Sequence, residues 1–378
     1  MTIPVSPSTA DLQQRLLAEQ RSPDTERLRS RGLAANPAGR LTLRWVDRSE
    51  QTWSDEDEVP QVSRQTELLP DTSKTLISRN NSPDIPFDRS INPYKGCEHG
   101  CVYCFARPSH SYLDLSPGLD FETQIFYKTN VVALLRKAFD KPGYQCRPLA
   151  LGANTDAYQP AEKSLRITRT ILEQMLAYRH PVTLVTKGAL ILRDLDLLQA
   201  LAAQNLVQVM VSVTTLDLSL KARLEPRAAG PARRLQVIRA LREAGVPVGA
   251  MIAPVIPVLT DHELERLVER AAGAGAQSIN YVLLRLPHEV KDLFQDWLGT
   301  HFPLQAEHVM SRLRDMRGGR DNDPEFGSRM RGSGPFAEFL AQRFRRALAK
   351  QGLLDASLPE LRTDLFRRPG EGEQMTLF

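Results

Sequence analysis

Residues 97–104 read Cys-Glu-His-Gly-Cys-Val-Tyr-Cys, so three of the four cysteines in this 378-residue chain fall within eight positions, at Cys97, Cys101 and Cys104. A Cys-x3-Cys-x2-Cys loop can turn three thiolates onto one metal centre, and soft sulfur ligands suit iron–sulfur clusters or zinc. A structural zinc site takes four ligands and keeps no open position. An electron-transfer cluster is usually held by four cysteines. A [4Fe-4S] cluster held by three leaves one iron free to bind another molecule. The competing reading is a Cys3His zinc site completed by His99 or His110, as in a zinc-binding nucleic-acid module. A disulfide framework does not suit three clustered thiols and a distant Cys146 in a chain of this length.

Outward from this loop the chain alternates strand and helix. Candidate strands are 90–94, 148–153, 181–186, 206–213, 246–253 and 278–284, separated by helical stretches near 129–140, 163–179, 190–204, 231–244 and 261–275. Several strands are apolar runs without polar alternation, as expected for parallel strands covered on both faces. Six such units imply an α/β fold, a partial (β/α)6 barrel over 86–300. Chemistry in parallel barrels sits at the C-terminal strand ends. Here those ends carry the cysteine loop, Asn154-Thr155-Asp156, Thr186-Lys187, Ser212-Val-Thr-Thr215, Pro254 and Arg285.

Residues 1–85 read as a mostly irregular extension, with a short amphipathic piece at Leu12, Leu16 and Leu17 and a strand-like alternation at 41–45. Residues 301–352 form a basic helical region with Arg312, Arg314, Arg317, Arg320, Arg329 and Arg331, which is either a solvated surface or a phosphate-contacting one. Residues 353–378 read as a flexible tail. The composition, 42% hydrophobic and 25% charged, fits a globular protein with a substantial core. A net charge of +4 does not by itself indicate nucleic-acid binding. No apolar run approaches the ~20 residues that cross a bilayer. With no signal-like pattern after Met1, the expected location is the cytoplasm, without membrane association.

The Cys97–Phe105 motif, Thr155–Glu162, Thr186-Lys187, Ser212–Thr215 and Leu224–Arg227 together resemble the radical S-adenosylmethionine (SAM) superfamily, in its spore photoproduct lyase-like (DNA repair photolyase-like) branch. The stretch 90–107 is similar to an uncharacterised bacterial subgroup of that branch. The resemblance implies a [4Fe-4S] cluster on Cys97, Cys101 and Cys104, with SAM on its open iron. It implies Thr155 and Asp156 at the methionine or ribose of SAM, Lys187 at its carboxylate, Ser212 at its ribose and Phe105 beside its adenine. It further implies one-electron cleavage of SAM to a 5′-deoxyadenosyl radical, an electron donor of flavodoxin or ferredoxin type, and a nucleic-acid lesion or modified base as substrate. A protein or small-molecule substrate is the alternative.

Glu225 and Arg227 would line the substrate side or pair with each other. Spore photoproduct lyase keeps a cysteine three residues before the aspartate as hydrogen donor; Ala153 stands there here, so a different donor is expected, such as Tyr158 or Tyr281. The last residues, Gln374-Met-Thr-Leu377-Phe378, resemble the short motif that docks bacterial repair and replication proteins on the DNA sliding clamp, with Gln374, Leu377 and Phe378 as its anchors.

Overall fold

A computed structural model describes residues 31–33, 36, 37, 39, 40 and 65–369. The stretches around Leu12–Leu17, 41–45 and 374–378 lie outside the described residues. The strands are β1 (Glu67–Asp71), β2 (Ile77–Arg79), β3 (Arg89–Ile91), β4 (Tyr94–Lys95) and β5 (Gln124–Lys128), then β6 (Leu149–Leu151), β7 (Val182–Thr186), β8 (Val207–Ser212), β9 (Val248–Val255) and β10 (Ile279–Leu283). The main sheet has seven strands in the order β10-β9-β8-β7-β6-β3-β2. From β3 to β10 the neighbours are parallel, and β2 adds an antiparallel edge to β3. The sheet curves without closing, with β10 and β2 as its free edges, so the fold is the expected partial barrel. Helices Val131–Phe139, Ile167–Ala177, Leu195–Ala202, Pro231–Glu243 and Leu264–Gly273 make the crossovers.

The two sheet faces are not equally covered, contrary to the apolar-run expectation. Val182 and Leu184, then Val207, Val209 and Val211, are buried on the helix side. The residues between them are more accessible, and Val185 is 43% exposed although its strand is hydrogen-bonded on both sides. Strand side chains alternate between faces. Val185, Met210 and Met251 therefore look into a concave cleft that the open barrel leaves unfilled.

The first expected strand, 90–94, is split between two sheets. Pro93 has no N–H to continue a ladder; its carbonyl accepts from Lys128 instead, and β4 joins a second, three-stranded sheet ordered β1-β5-β4. This sheet supports the cysteine loop. Strands β1 and β2 also lie within the stretch read as mostly irregular.

The C-terminal stretch expected to be flexible is fixed through its described part. Arg362 and Arg367 donate backbone N–H groups to the carbonyls of Asn205 and Tyr178, and Gln208 Nε2 donates to the Pro359 carbonyl at 2.7 Å. Phe366 enters an aromatic cluster with Phe139, Tyr144, Tyr178 and His180, at centroid distances of 5.3–6.2 Å. These partners precede or begin β7 and β8, so the segment floors the barrel at the end opposite the cysteine loop. Cys146, just ahead of β6, lies at this floor too, its thiol pushed up to about 12 chiefly by burial.

His180 Nδ1 faces the Pro181 carbonyl at 2.9 Å, so it must donate, and Nε2 accepts from Tyr144 Oη at 2.8 Å. Burial pushes this imidazole down to about 4. The unfolded chain takes up that proton near pH 6.5 while the folded chain resists. Stability should therefore fall between pH 6.5 and 4, by up to ~1.4 kcal/mol per pH unit from this group. Urea midpoints at pH 7 and 5 measure the slope, and His180→Gln should flatten it. Phe366→Ala should cost about 1–3 kcal/mol at pH 7 by loss of half-buried aromatic packing.

Candidate metal and cofactor site

The cysteine loop runs from Gly96 to Ala106, between β4 and a 3-10 helix at Arg107–Leu113. Gly96 and Gly100 take φ of +83° and +66°, a region that glycine enters without strain. The loop has few hydrogen bonds of its own and is held from outside. Cys97 N–H donates to the Phe121 carbonyl at 2.9 Å, and Val102 N–H to the Leu224 carbonyl at 3.1 Å. Gln159 brackets the first cysteine, with Oε1 accepting from Glu98 N–H and Nε2 donating to the Gly96 carbonyl. Tyr103, between the second and third thiols, donates its hydroxyl to Glu225, which also receives Thr214 and pairs with buried Arg234.

Beneath the loop, Arg107 and Glu122 form an ion pair at 2.6 Å, both fully buried. Arg107 spends its remaining donors on the carbonyls of Cys101, Pro117 and Gly118. From the N-terminal extension, Gly32 N–H donates to Glu122 at 2.9 Å and Arg31 Nη1 to the Glu122 carbonyl at 2.8 Å. Gly32 lies so close that a Cβ there would stand 1.8 Å from the Gly100 carbonyl oxygen. The extension thus seals the outside of the loop.

Cys97 and Cys101 are buried and Cys104 is partly exposed. Burial raises the Cys97 thiol well above its usual range, with Asp156 and the other two thiols adding to it, and pushes Cys101 up to about 12. Metal ligation requires the thiolates, so a cationic centre is what this donor set lacks. Among the described residues no group of three or more His, Cys, Asp or Glu side chains is placed to hold a single metal ion. Each histidine considered for zinc is held through one ring nitrogen: His99 Nδ1 faces Asp156 at 3.2 Å, and His110 Nε2 meets the Gln124 carbonyl at 3.1 Å, with its Nδ1 buried and without a partner among the described residues.

The expected SAM-contacting residues gather at the same rim. Lys187 follows β7 directly, with its ammonium 5.8 Å from the Tyr103 ring and without an ion pair among the described residues. Burial acts to lower its pKa, but the facing Cys101 and Glu225 outweigh it and the shift is upward. A cation held charged and unpartnered beside the thiols fits a carboxylate ligand. Phe105 is 50% exposed. Ser212 Oγ donates to the Ala253 carbonyl at 3.2 Å and keeps acceptor capacity.

Thr155 and Asp156 are already engaged. Thr155 donates to the Gly96 carbonyl at 2.7 Å. Asp156 accepts from Thr186 Oγ1, Lys187 N–H and Tyr158 N–H at 2.7–2.8 Å, besides His99. Both side chains hold loops in place rather than standing open to a ligand. Glu225 and Arg227 do not pair with each other; Arg227 pairs with Glu98 at 2.9 Å. Tyr158 and Tyr281 are both buried, Tyr281 against Phe344 on the helix side. Of the arginines in 312–331, Arg312, Arg314 and Arg329 form ion pairs, and Arg317 is buried on backbone carbonyls.

The holders of the loop, namely Arg107, Glu122, Gln159 and Arg234, are what sequence reasoning missed. Gln159 and Arg107 sit inside the quoted motifs, but nothing in spacing marks them. Arg107→Met would leave Glu122 buried and unpaired, and should cost about 3–5 kcal/mol. Adding Glu122→Gln should recover part of that loss in urea unfolding.

The radical SAM superfamily profile matches residues 91–271. An uncharacterized protein of Mycobacterium tuberculosis (strain ATCC 25618 / H37Rv) is 40% identical over 238 residues, which cover 62% of this chain and 69% of that one. Another, of Methanocaldococcus jannaschii, is 29% identical over 202 residues, covering 53% and 73%. Among solved structures, spore photoproduct lyase complexed with dinucleoside spore photoproduct is similar with a TM-score of 0.54 at 16% identity, over 75% of this chain and 79% of that chain. A cysteine-to-alanine variant of the same lyase gives 0.55 at 17%, with the same coverage. At these identities the likeness is one of fold. With its three-cysteine loop at the rim of an open parallel barrel, the chain belongs to the radical SAM superfamily, whose cofactors are a [4Fe-4S] cluster and SAM.

Proposed function

We propose that this radical SAM enzyme acts on nucleic acid, at a lesion or a modified base. The observation that carries the chemistry is three cysteines on one loop with the Lys187 ammonium, unpaired among the described residues, beside it, above a cleft lined by Val185, Met210 and Met251. When bound, the cofactors supply a one-electron cleavage of SAM and a radical able to take hydrogen from substrate. Cys97, Cys101 and Cys104 would hold three irons. Lys187 would take the SAM carboxylate, Ser212 the ribose and Phe105 the adenine. Thr155 and Asp156 would act one step back, by fixing Gly96, His99 and the Lys187 backbone. The apolar cleft keeps water from the reacting atoms.

The nucleic-acid substrate is supported by the fold likeness to a lyase solved with a dinucleoside photoproduct, by exposed ring–arginine pairs at the rim, and by the clamp-like Gln374–Phe378 motif. Ala153 at the end of β6 favours a lesion other than spore photoproduct. A flavodoxin- or ferredoxin-type donor and a cytoplasmic setting complete the reading. Among the described residues no helix is long and apolar enough to cross a membrane.

Anaerobic reconstitution followed by iron and sulfide analysis and a 5′-deoxyadenosine assay tests the chemistry. Equal iron and sulfide are expected, with SAM cleavage abolished in Cys97→Ala, Cys101→Ala and Cys104→Ala. Zinc in place of iron would refute the assignment. Lys187→Met should weaken SAM binding about ten- to a hundredfold while iron content holds, since one charge-assisted contact is lost.

A further inference from the structure

Arg285 stands two residues beyond β10, on the free edge of the sheet and at the same rim as the cysteine loop. Its guanidinium carbon lies 5.9 Å from the ring centre of Phe105, the residue after Cys104. The hydrogen bond it makes is a weak one, from Nη1 to the Met330 sulfur at 3.6 Å, and its Nε is buried without a partner. Among the described residues no carboxylate forms an ion pair with it. A guanidinium has five donors and does not shed its charge. Holding one half-buried with its donors idle is costly unless a ligand brings the acceptors.

The surroundings favour an anion. Arg317, 3% exposed, donates to the carbonyls of Leu284, Ser328 and Arg329; among the described residues no carboxylate forms an ion pair with it, although Asp323 faces it at longer range. Arg329 is paired with Asp84, the acid that also acts on Arg285. Burial and the charge of Arg329 lower the pKa of Arg285, with Asp84 opposing them, which fits a locally positive field. One ring outside the proposed SAM pocket lies open beside these cations: Phe326 is 56% exposed, with the Arg329 guanidinium 4.7 Å from its centre. Arginines that bind phosphate, next to rings that stack bases, are how single strands are held.

We propose that Arg285 receives a phosphate group of the substrate at the rim beside Phe105, and that a nucleic-acid strand supplies it. The source of the phosphate rests on the nucleic-acid reading above; the anion site itself does not. It is separate from the SAM carboxylate, for which Lys187 follows β7, three strands away from β10.

The test uses the full chain with its cluster reconstituted. Anisotropy of a labelled oligothymidylate is measured over a range of salt, for the parent, Arg285→Gln and Arg285→Lys, with SAM affinity measured alongside. Thymidine 5′-monophosphate and thymidine serve as unlinked probes. Arg285→Gln should weaken oligonucleotide binding about tenfold and reduce the salt slope by about 0.7, as for one phosphate contact on a single strand. Arg285→Lys should be intermediate, and SAM affinity, carried chiefly by Lys187, should fall less than oligonucleotide affinity.

Binding by Arg285→Gln with the parent's affinity and slope would overturn the proposal, as would a defect confined to SAM. A parent that ignores the oligonucleotide but prefers the monophosphate to thymidine, in an Arg285-dependent way, would retain the phosphate site and remove the nucleic-acid substrate. A parent that binds neither probe removes the site.

Discussion

A loop that must present three thiols to one cluster cannot also fold on its own hydrogen bonds. Here Gly96–Ala106 takes its order from outside, and the anchor beneath it is the Arg107–Glu122 pair, enclosed on all sides. That pair joins the loop to the turn at Pro117-Gly118 and, through Gly32 and Arg31, to the N-terminal extension. A second anchor, Glu225, joins Tyr103 to Arg234 and so to the helix behind β8 and β9. Buried charges are tolerated only when paired and fully hydrogen-bonded. Both anchors meet that condition with donors drawn from distant parts of the chain. The cost of desolvating them is offset by a loop with one conformation.

The same economy shapes the barrel. Helices cover the outer face of the sheet with aliphatic side chains, while the inner face keeps an apolar surface uncovered at Val185. A fully closed barrel would fill that space with its own side chains. Leaving the sheet open between β10 and β2 forfeits some packing and leaves a cleft whose rim carries the cysteine loop, Lys187 and Arg285.

Much of this was legible in the sequence. Three clustered cysteines are chemically unambiguous in number, and the strand and helix runs were long enough for their periods to register. What was not legible depends on meetings between distant residues. Gln159 holds Gly96 and Glu98 across more than sixty positions. The sheet switch at Pro93 occupies two residues of an otherwise strand-like run. The segment after 352 has no periodicity because it lies flat across the barrel floor, where its contacts are backbone hydrogen bonds and one aromatic ring. Thr155 and Asp156 follow β6, but their engagement in internal hydrogen bonds appears only once the loops are folded together.

The floor gives the molecule a polarity along the barrel axis. Reactive groups cluster where the strands end, whereas Arg367 and Arg368 are fastened to the Tyr178 and Phe139 carbonyls at the face where they begin. A partner that docked on this floor would therefore hold the protein from behind, with its mouth turned outward. Such an attachment lets the catalytic end scan a surface while its grip is maintained.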